Sequence, residues 1–145
     1  PNPNNLSDER IKAIGENGGV IGMEMVKTEI KWRYQESGEQ VTWKEVMRHI
    51  DHIAELIGTD HIGLGLDYDN FPLVHNIHRA MCPGPGSIEG FYTGVPDEDH
   101  MLDEPNHPGE SYLIADYLVK HGYSDHDIKK ILGGNMMRLF KETLA

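Results

Sequence analysis

The sequence predicts an α/β fold in which parallel strands are covered by helices. Helix and strand signals alternate along the chain, the order that builds parallel sheets. The strand signals are short, nearly continuous apolar runs, as expected of strands buried on both faces. The helix signals around them carry caps and amphipathic spacing. At 145 residues the chain has room for one domain of modest size.

The elements follow in chain order. Ser7 is placed to cap a first helix, with Leu6 and Ile11 spaced as a hydrophobic staple, and Asn17-Gly18-Gly19 stops it. Val20 to Val26 is an apolar run that reads as a buried strand. Lys27 to Gln40 is polar, a loop with some helix. Thr42-Trp43-Lys44-Glu45 is a capping box with Val41 and Val46 as its staple. The helix it opens runs through Met47, Ile50, Ile53, Ala54 and Ile57 to a stop at Gly58. His61 to Asp67 is the second strand signal, apolar until its acidic end. Residues 71–108 break the rhythm as a long irregular excursion of the kind that often forms functional lids. Regularity returns with a helix over Ser111–His121 and a second one capped by Ser124. Gly133-Gly134 separates these from a last helix over Met136–Thr143.

Two strands cannot make a parallel sheet covered on both faces. Further strands are therefore expected upstream or from another chain, in line with a sequence that does not begin with Met.

Composition narrows the function. A formal net charge of −11 argues against binding the nucleic-acid backbone, which depends on clustered Lys and Arg, and against docking on an anionic membrane. No apolar run reaches the length of a membrane span. The single Cys82 excludes an intrachain disulfide and a Cys-based zinc site. It sits among prolines and glycines with no base nearby in sequence, so a nucleophilic role is not expected. One thiol fits either redox environment and leaves the compartment open, with the cytoplasm slightly favoured.

The local signal that points most directly to chemistry is Gly63-Leu64-Gly65-Leu66-Asp67-Tyr68-Asp69. In α/β barrels, polar residues at the C-terminal ends of strands face the active site. Asp67 closes an apolar strand, and glycines within the strand allow close backbone approach. The competing reading is that Asp67 only begins a turn, as Asp often does. The run lacks the spacing and following helix of a dinucleotide-binding loop. Four other candidates carry weaker signals. His49 and His52, with Asp51 between them, share a helix at i and i+3 and could hold a metal with a third ligand. An ordinary polar helix flank explains them equally in kind and more often in practice. His61 lies at the strand end away from the expected site. His100, Asp103, Glu104 and His107 offer mixed nitrogen and oxygen donors in the long loop, although acidic loops are usually just solvated. Glu24, read as part of the first strand, would need a partner if buried.

Three ordered blocks resemble the renal (membrane) dipeptidase family. Asn5-Leu6-Ser7-Asp8-Glu9 followed by Gly18-Gly19-Val20-Ile21 is similar to its N-L-S-D-E … G-G-V-I segment. His49-Ile50-Asp51-His52 with Asp60-His61-Ile62-Gly63-Leu64-Gly65-Leu66-Asp67-Tyr68-Asp69 resembles its H-I-D-H … D-H-V-G-x-G-x-D-F-D block. Gly122-Tyr123-Ser124 with Ile128 to Arg138 resembles its closing G-Y-S … D-I-x-K-I-L-G-G-N-x-x-R.

The resemblance implies the C-terminal portion of a (β/α)8 barrel, strands seven and eight with their helices, spanning residues 1–145 with the long loop at 71–108. It implies a metallodipeptidase, a zinc-dependent hydrolase of the amidohydrolase type. Its two zinc ions would be held by His, Asp and Glu of earlier strands, so no residue here inherits a ligand role. Asp67 becomes the acid at the end of the last strand, handling the proton of the attacking water or holding the substrate's amino group. The expected partners are a dipeptide or related small amide substrate, the missing N-terminal barrel half and a second copy of the chain in a homodimer. Two departures stand out. The family's substrate-binding Arg falls on Asn4, which cannot grip a carboxylate bidentately. Asn70 replaces a Gly at the start of the long loop. The loss of Arg at Asn4 and the missing ligand strands support an alternative, a non-catalytic barrel relative or a fragment with a binding role.

Overall fold

The structure, a computed structural model, describes residues 5–31, 38, 40–67, 102 and 108–144. In chain order it contains α1 (Asp8–Glu16), β1 (Ile21–Met23), α2 (Lys27–Ile30), α3 (Trp43–Ile57) and a 3₁₀ turn (Thr59–His61). These are followed by β2 (Ile62–Leu64), a second 3₁₀ turn (Pro108–Glu110), α4 (Tyr112–Lys120) and α5 (Asp125–Lys129). A π turn (Lys130–Gly134) then leads into α6 (Asn135–Thr143). β1 and β2 pair in parallel, with Ile21 opposite Ile62, Gly22 opposite Gly63 and Met23 opposite Leu64. Parallel neighbours need a long crossover, and here it carries α2 and α3. The α/β class expected from the alternating pattern is present. Among the described residues no helix is long and apolar enough to cross a membrane.

Local sequence explains most of these boundaries. The Thr42 N–H donates to Glu45 Oε2 at 2.9 Å, its hydroxyl donates to the same oxygen at 2.8 Å, and its Oγ1 accepts from the Lys44 N–H at 3.3 Å. Val41 and Val46 on either side of that cap are both buried. Gly58 ends α3 at φ 85°, with its N–H bonded to the Ala54 carbonyl. Ser124 caps α5 by accepting from the Asp127 N–H at 3.2 Å. Ser7 holds the N-cap position of α1 with extended backbone, but its side chain makes no capping bond, and Leu6 stays exposed while Ile11 is buried.

One boundary differs from the sequence reading. β1 stops at Met23 rather than Val26. Met25 and Val26 are buried, yet their backbone has left the ladder. The Met25 carbonyl accepts from the Leu102 N–H at 3.3 Å, and the Val26 carbonyl receives the first bonds of α2. Apolar burial alone therefore mimicked a longer strand. Gly133, at φ 154° and ψ −17°, leaves the helical path and kinks the chain between the turn after α5 and α6, so the Gly133-Gly134 pair does separate two helices.

The core joins Ile11, the α3 stripe Val46, Met47, Ile50 and Ile53, and Ile62 of β2 to Ile114, Leu118 and Ile131 of the C-terminal helices. The N-terminal ends of the strands are tied to α6. The buried Asn135 donates from Nδ2 to the carbonyls of Thr59 (2.7 Å) and Ile62 (2.8 Å). Arg138 donates to the carbonyls of Gly18 and Asp60, each at 3.2 Å. The opposite, C-terminal ends of the strands are left to other chemistry.

Candidate active site

Side chains alternate across a strand, and paired residues in a parallel ladder share a face. Ile21, Met23, Ile62 and Leu64 point to the helices. The other face carries Gly22 and Gly63. A Cβ on Gly22 would lie 3.3 Å from the Gly65 Cα, and one on Gly65 3.3 Å from the Gly22 Cα, so the two backbones approach as closely as glycines permit. Continuing the register past the strand ends puts Glu24 opposite Gly65 and Asp67 two residues beyond, on this same face. The two acids meet there, their side chains hydrogen-bonded at the C-terminal ends of adjacent strands. Asp67 takes a left-handed backbone, φ 51°, and is exposed.

Partial burial pushes the Glu24 carboxyl up to about 7 from an ordinary 4.5, assisted by its hydrogen bond to Asp67, the Asp67 charge and the charge of Glu29. Two carboxyls in hydrogen-bond contact do not both ionise readily, because the second charge is opposed by the first. Near neutral pH the pair is thus poised to hold or release one proton. The Asp67 carboxylate of such a pair can accept a proton from water or hold a cationic group.

Glu24 and Glu29 also line a cavity of about 230 Å³ on the side of β1 away from β2, together with Asn5, His49 and His52. Asn5 closes one side of it by donating from Nδ2 to the Glu29 carbonyl at 3.0 Å. The N-terminal segment therefore enters beside the C-terminal end of β1. Asn4, the candidate substrate-binding residue, is the next residue back and lies outside the described residues.

The remaining candidates take separate roles. His49 Nε2 bonds to the Ile30 carbonyl at 2.9 Å and His52 Nε2 to Asp8 Oδ1 at 2.8 Å, so the two rings serve different elements. Asp51 accepts from the Tyr123 hydroxyl and pairs with His121, both at 2.8 Å, tying α3 to the end of α4. His61 Nδ1 bonds to the Gly19 carbonyl at 2.8 Å, at the strand end remote from Asp67. Cys82, His100, Asp103, Glu104 and His107, like Tyr68, Asp69 and Asn70, lie outside the described residues. Leu102 is described, and it is buried where its N–H meets Met25, one residue beyond Glu24.

Among the described residues no three His, Cys, Asp or Glu side chains come together in a way that could hold a metal ion. Glu24 and Asp67 supply two oxygen-bearing groups only. These residues do not by themselves compose a zinc site.

The sequence reading named Asp67 and left Glu24 without a partner. What it missed was their meeting. The signal was available in the parity of the two residues on neighbouring strands, but it can be read only once the strand register is known.

The chain is similar to known proteins along nearly its whole length. The family model described as membrane dipeptidase, peptidase family M19, matches residues 1–79. Dipeptidase ataJ of Aspergillus terreus is 30% identical over 142 residues, covering 98% of this chain and 27% of the relative. Dipeptidase tcpJ of Claviceps purpurea is 24% identical over 142 residues, covering 98% of this chain and 26% of the relative. A crystal structure of the dipeptidase AC, a metallopeptidase of family M19, superposes with a TM-score of 0.65 at 20% identity, covering 94% of this chain and 32% of that one. At that identity the likeness concerns the fold. The chain spans about a quarter of the length of the curated relatives it matches.

Proposed function

Because the chain belongs to the membrane dipeptidase family, peptidase family M19, we propose that it is the C-terminal portion of a metal-dependent hydrolase that cleaves dipeptides. In this reading β1 and β2 are the seventh and eighth strands of a (β/α)8 barrel. The face bearing Gly22, Gly65, Glu24 and Asp67 looks into its interior. The observation that carries the proposal is the Glu24–Asp67 pair at the C-terminal ends of parallel strands, the end at which barrel enzymes place their catalytic groups. Two zinc ions are expected on His, Asp and Glu residues upstream of this chain.

Asp67 is assigned two tasks that its charge and exposure allow. Its carboxylate can hold the α-ammonium group of a dipeptide, or take up the proton released as water attacks the peptide carbonyl. Leu102, whose N–H meets the Met25 carbonyl just past the end of β1, is the described residue of the 71–107 stretch that comes near the site.

The test uses the complete polypeptide, with its upstream residues and metal. Dipeptides with a free amino end should be hydrolysed, chelation should abolish turnover, and zinc should restore it. Acetylating the substrate's amino end should lower kcat/KM by about tenfold to hundredfold, the worth of one charged hydrogen bond. Failure to hydrolyse any dipeptide when fully metal-loaded would favour a binding role instead.

A further inference from the structure

Glu24 has no counterpart in the chemistry assigned above, yet it is the group in direct contact with Asp67. We propose that Glu24 is a positioning residue: its carboxyl group, projecting from the end of β1, donates a hydrogen bond to the Asp67 carboxylate and sets where that carboxylate points. This rests on the reading of Asp67 as the working acid of the site.

The geometry gives the reason Asp67 needs such a partner. Its backbone is left-handed at φ 51°, it lies three residues past the end of β2, and it is exposed. A side chain so placed has neither ladder nor core to fix it. Glu24 is one residue past β1 and half-buried. The Gly65 N–H bonded to the Met23 carbonyl at 2.9 Å, together with the Gly22–Gly65 contact, holds the two strand ends at a fixed separation. The better-anchored acid can therefore orient the freer one.

The charges around Glu24 keep the donor protonated. Asp67 faces it from the end of β2 and Glu29 from α2, both acidic. His49 and His52 of α3 line the same cavity but are engaged with the Ile30 carbonyl and with Asp8. Lys27, at the start of α2, is buried and has interactions of its own. The proton on Glu24 is retained up to about pH 7. Above that pH the donor becomes a second anion, and a contact that oriented Asp67 becomes one that repels it.

The experiment is a pH profile of kcat/KM for a dipeptide with the complete metal-loaded enzyme and two variants. Wild type should lose activity as pH rises through about 7. Glu24→Gln keeps an N–H donor at every pH, so it should retain activity and lose that limb. Glu24→Ala has no donor, and its kcat/KM should fall by about tenfold to hundredfold at pH 6, the scale of a misplaced catalytic group. A carbon-13 titration of the glutamate carboxyls gives a readout independent of turnover: one resonance should titrate near pH 7, vanish in Glu24→Gln, and move toward the ordinary range in Asp67→Asn. An unchanged limb in Glu24→Gln, full activity in Glu24→Ala, or an ordinary titration of Glu24 overturns the inference while leaving the role of Asp67 standing. Full activity in Asp67→Asn overturns both.

Discussion

Asp67 combines a costly backbone with an exposed acid. Non-glycine residues are uncommon at φ 51°, although Asp tolerates that region better than most. The turn reading and the catalytic reading therefore share one residue, and only the contact with Glu24 separates them. That contact has a stability consequence. A carboxyl whose folded value is raised from 4.5 to about 7 favours the folded state fully below about pH 4.5. The contribution is lost as pH rises through about 7. Glu24→Gln should thus raise the thermal midpoint relative to wild type above pH 7 and change it little below pH 4.5, checked by thermal unfolding of the complete polypeptide at both pH values. Asn4 makes a second test at this scale. Asn4→Arg should favour substrates with a free C-terminal carboxylate by about 1.5–3 kcal/mol, the range for charged hydrogen bonds, read as kcat/KM against a C-terminally amidated analogue.

The helices show what a sequence makes legible. Thr42 to Glu45 and Ser124 to Asp127 are caps formed within four residues, so their chemistry is visible without knowledge of the fold. Strand ends are not local in this way. Val20 to Val26 is apolar throughout, but where the ladder stops depends on what Met25 and Val26 meet. The same limit hid the Glu24–Asp67 contact. Asn135 is a further case: a polar residue at the start of a helix looks ordinary in sequence, yet it is buried and carries two bonds across the fold. Asn135→Ala would leave the Thr59 and Ile62 carbonyls without these donors. It should destabilise the fold by about 1–3 kcal/mol, measured by denaturant unfolding, with kcat per folded molecule nearly unchanged because this anchor lies at the strand ends away from Asp67.

At the scale of the molecule, a two-stranded parallel sheet exposed at Gly22 and Gly65 implies more protein. Among the described residues β1 offers an open edge, and the Gly22–Gly65 end of the glycine face is exposed, while Met136 of α6 lies over Gly63. Residues 1–145 expressed alone should associate rather than unfold cooperatively as a monomer, because such edges and faces seek partners. Sedimentation with thermal unfolding checks this. Co-expression with the upstream portion should restore a cooperative transition. The central claim is that Asp67 does chemistry in the assembled enzyme, and the most direct measurement is kcat of Asp67→Asn in the complete, metal-loaded polypeptide. The substitution keeps the shape and removes the charge. We expect kcat to fall about 100- to 10,000-fold, the usual worth of general acid–base assistance, with metal content and thermal midpoint close to wild type. Near-normal turnover at full metal content would contradict the account and leave Asp67 a turn residue.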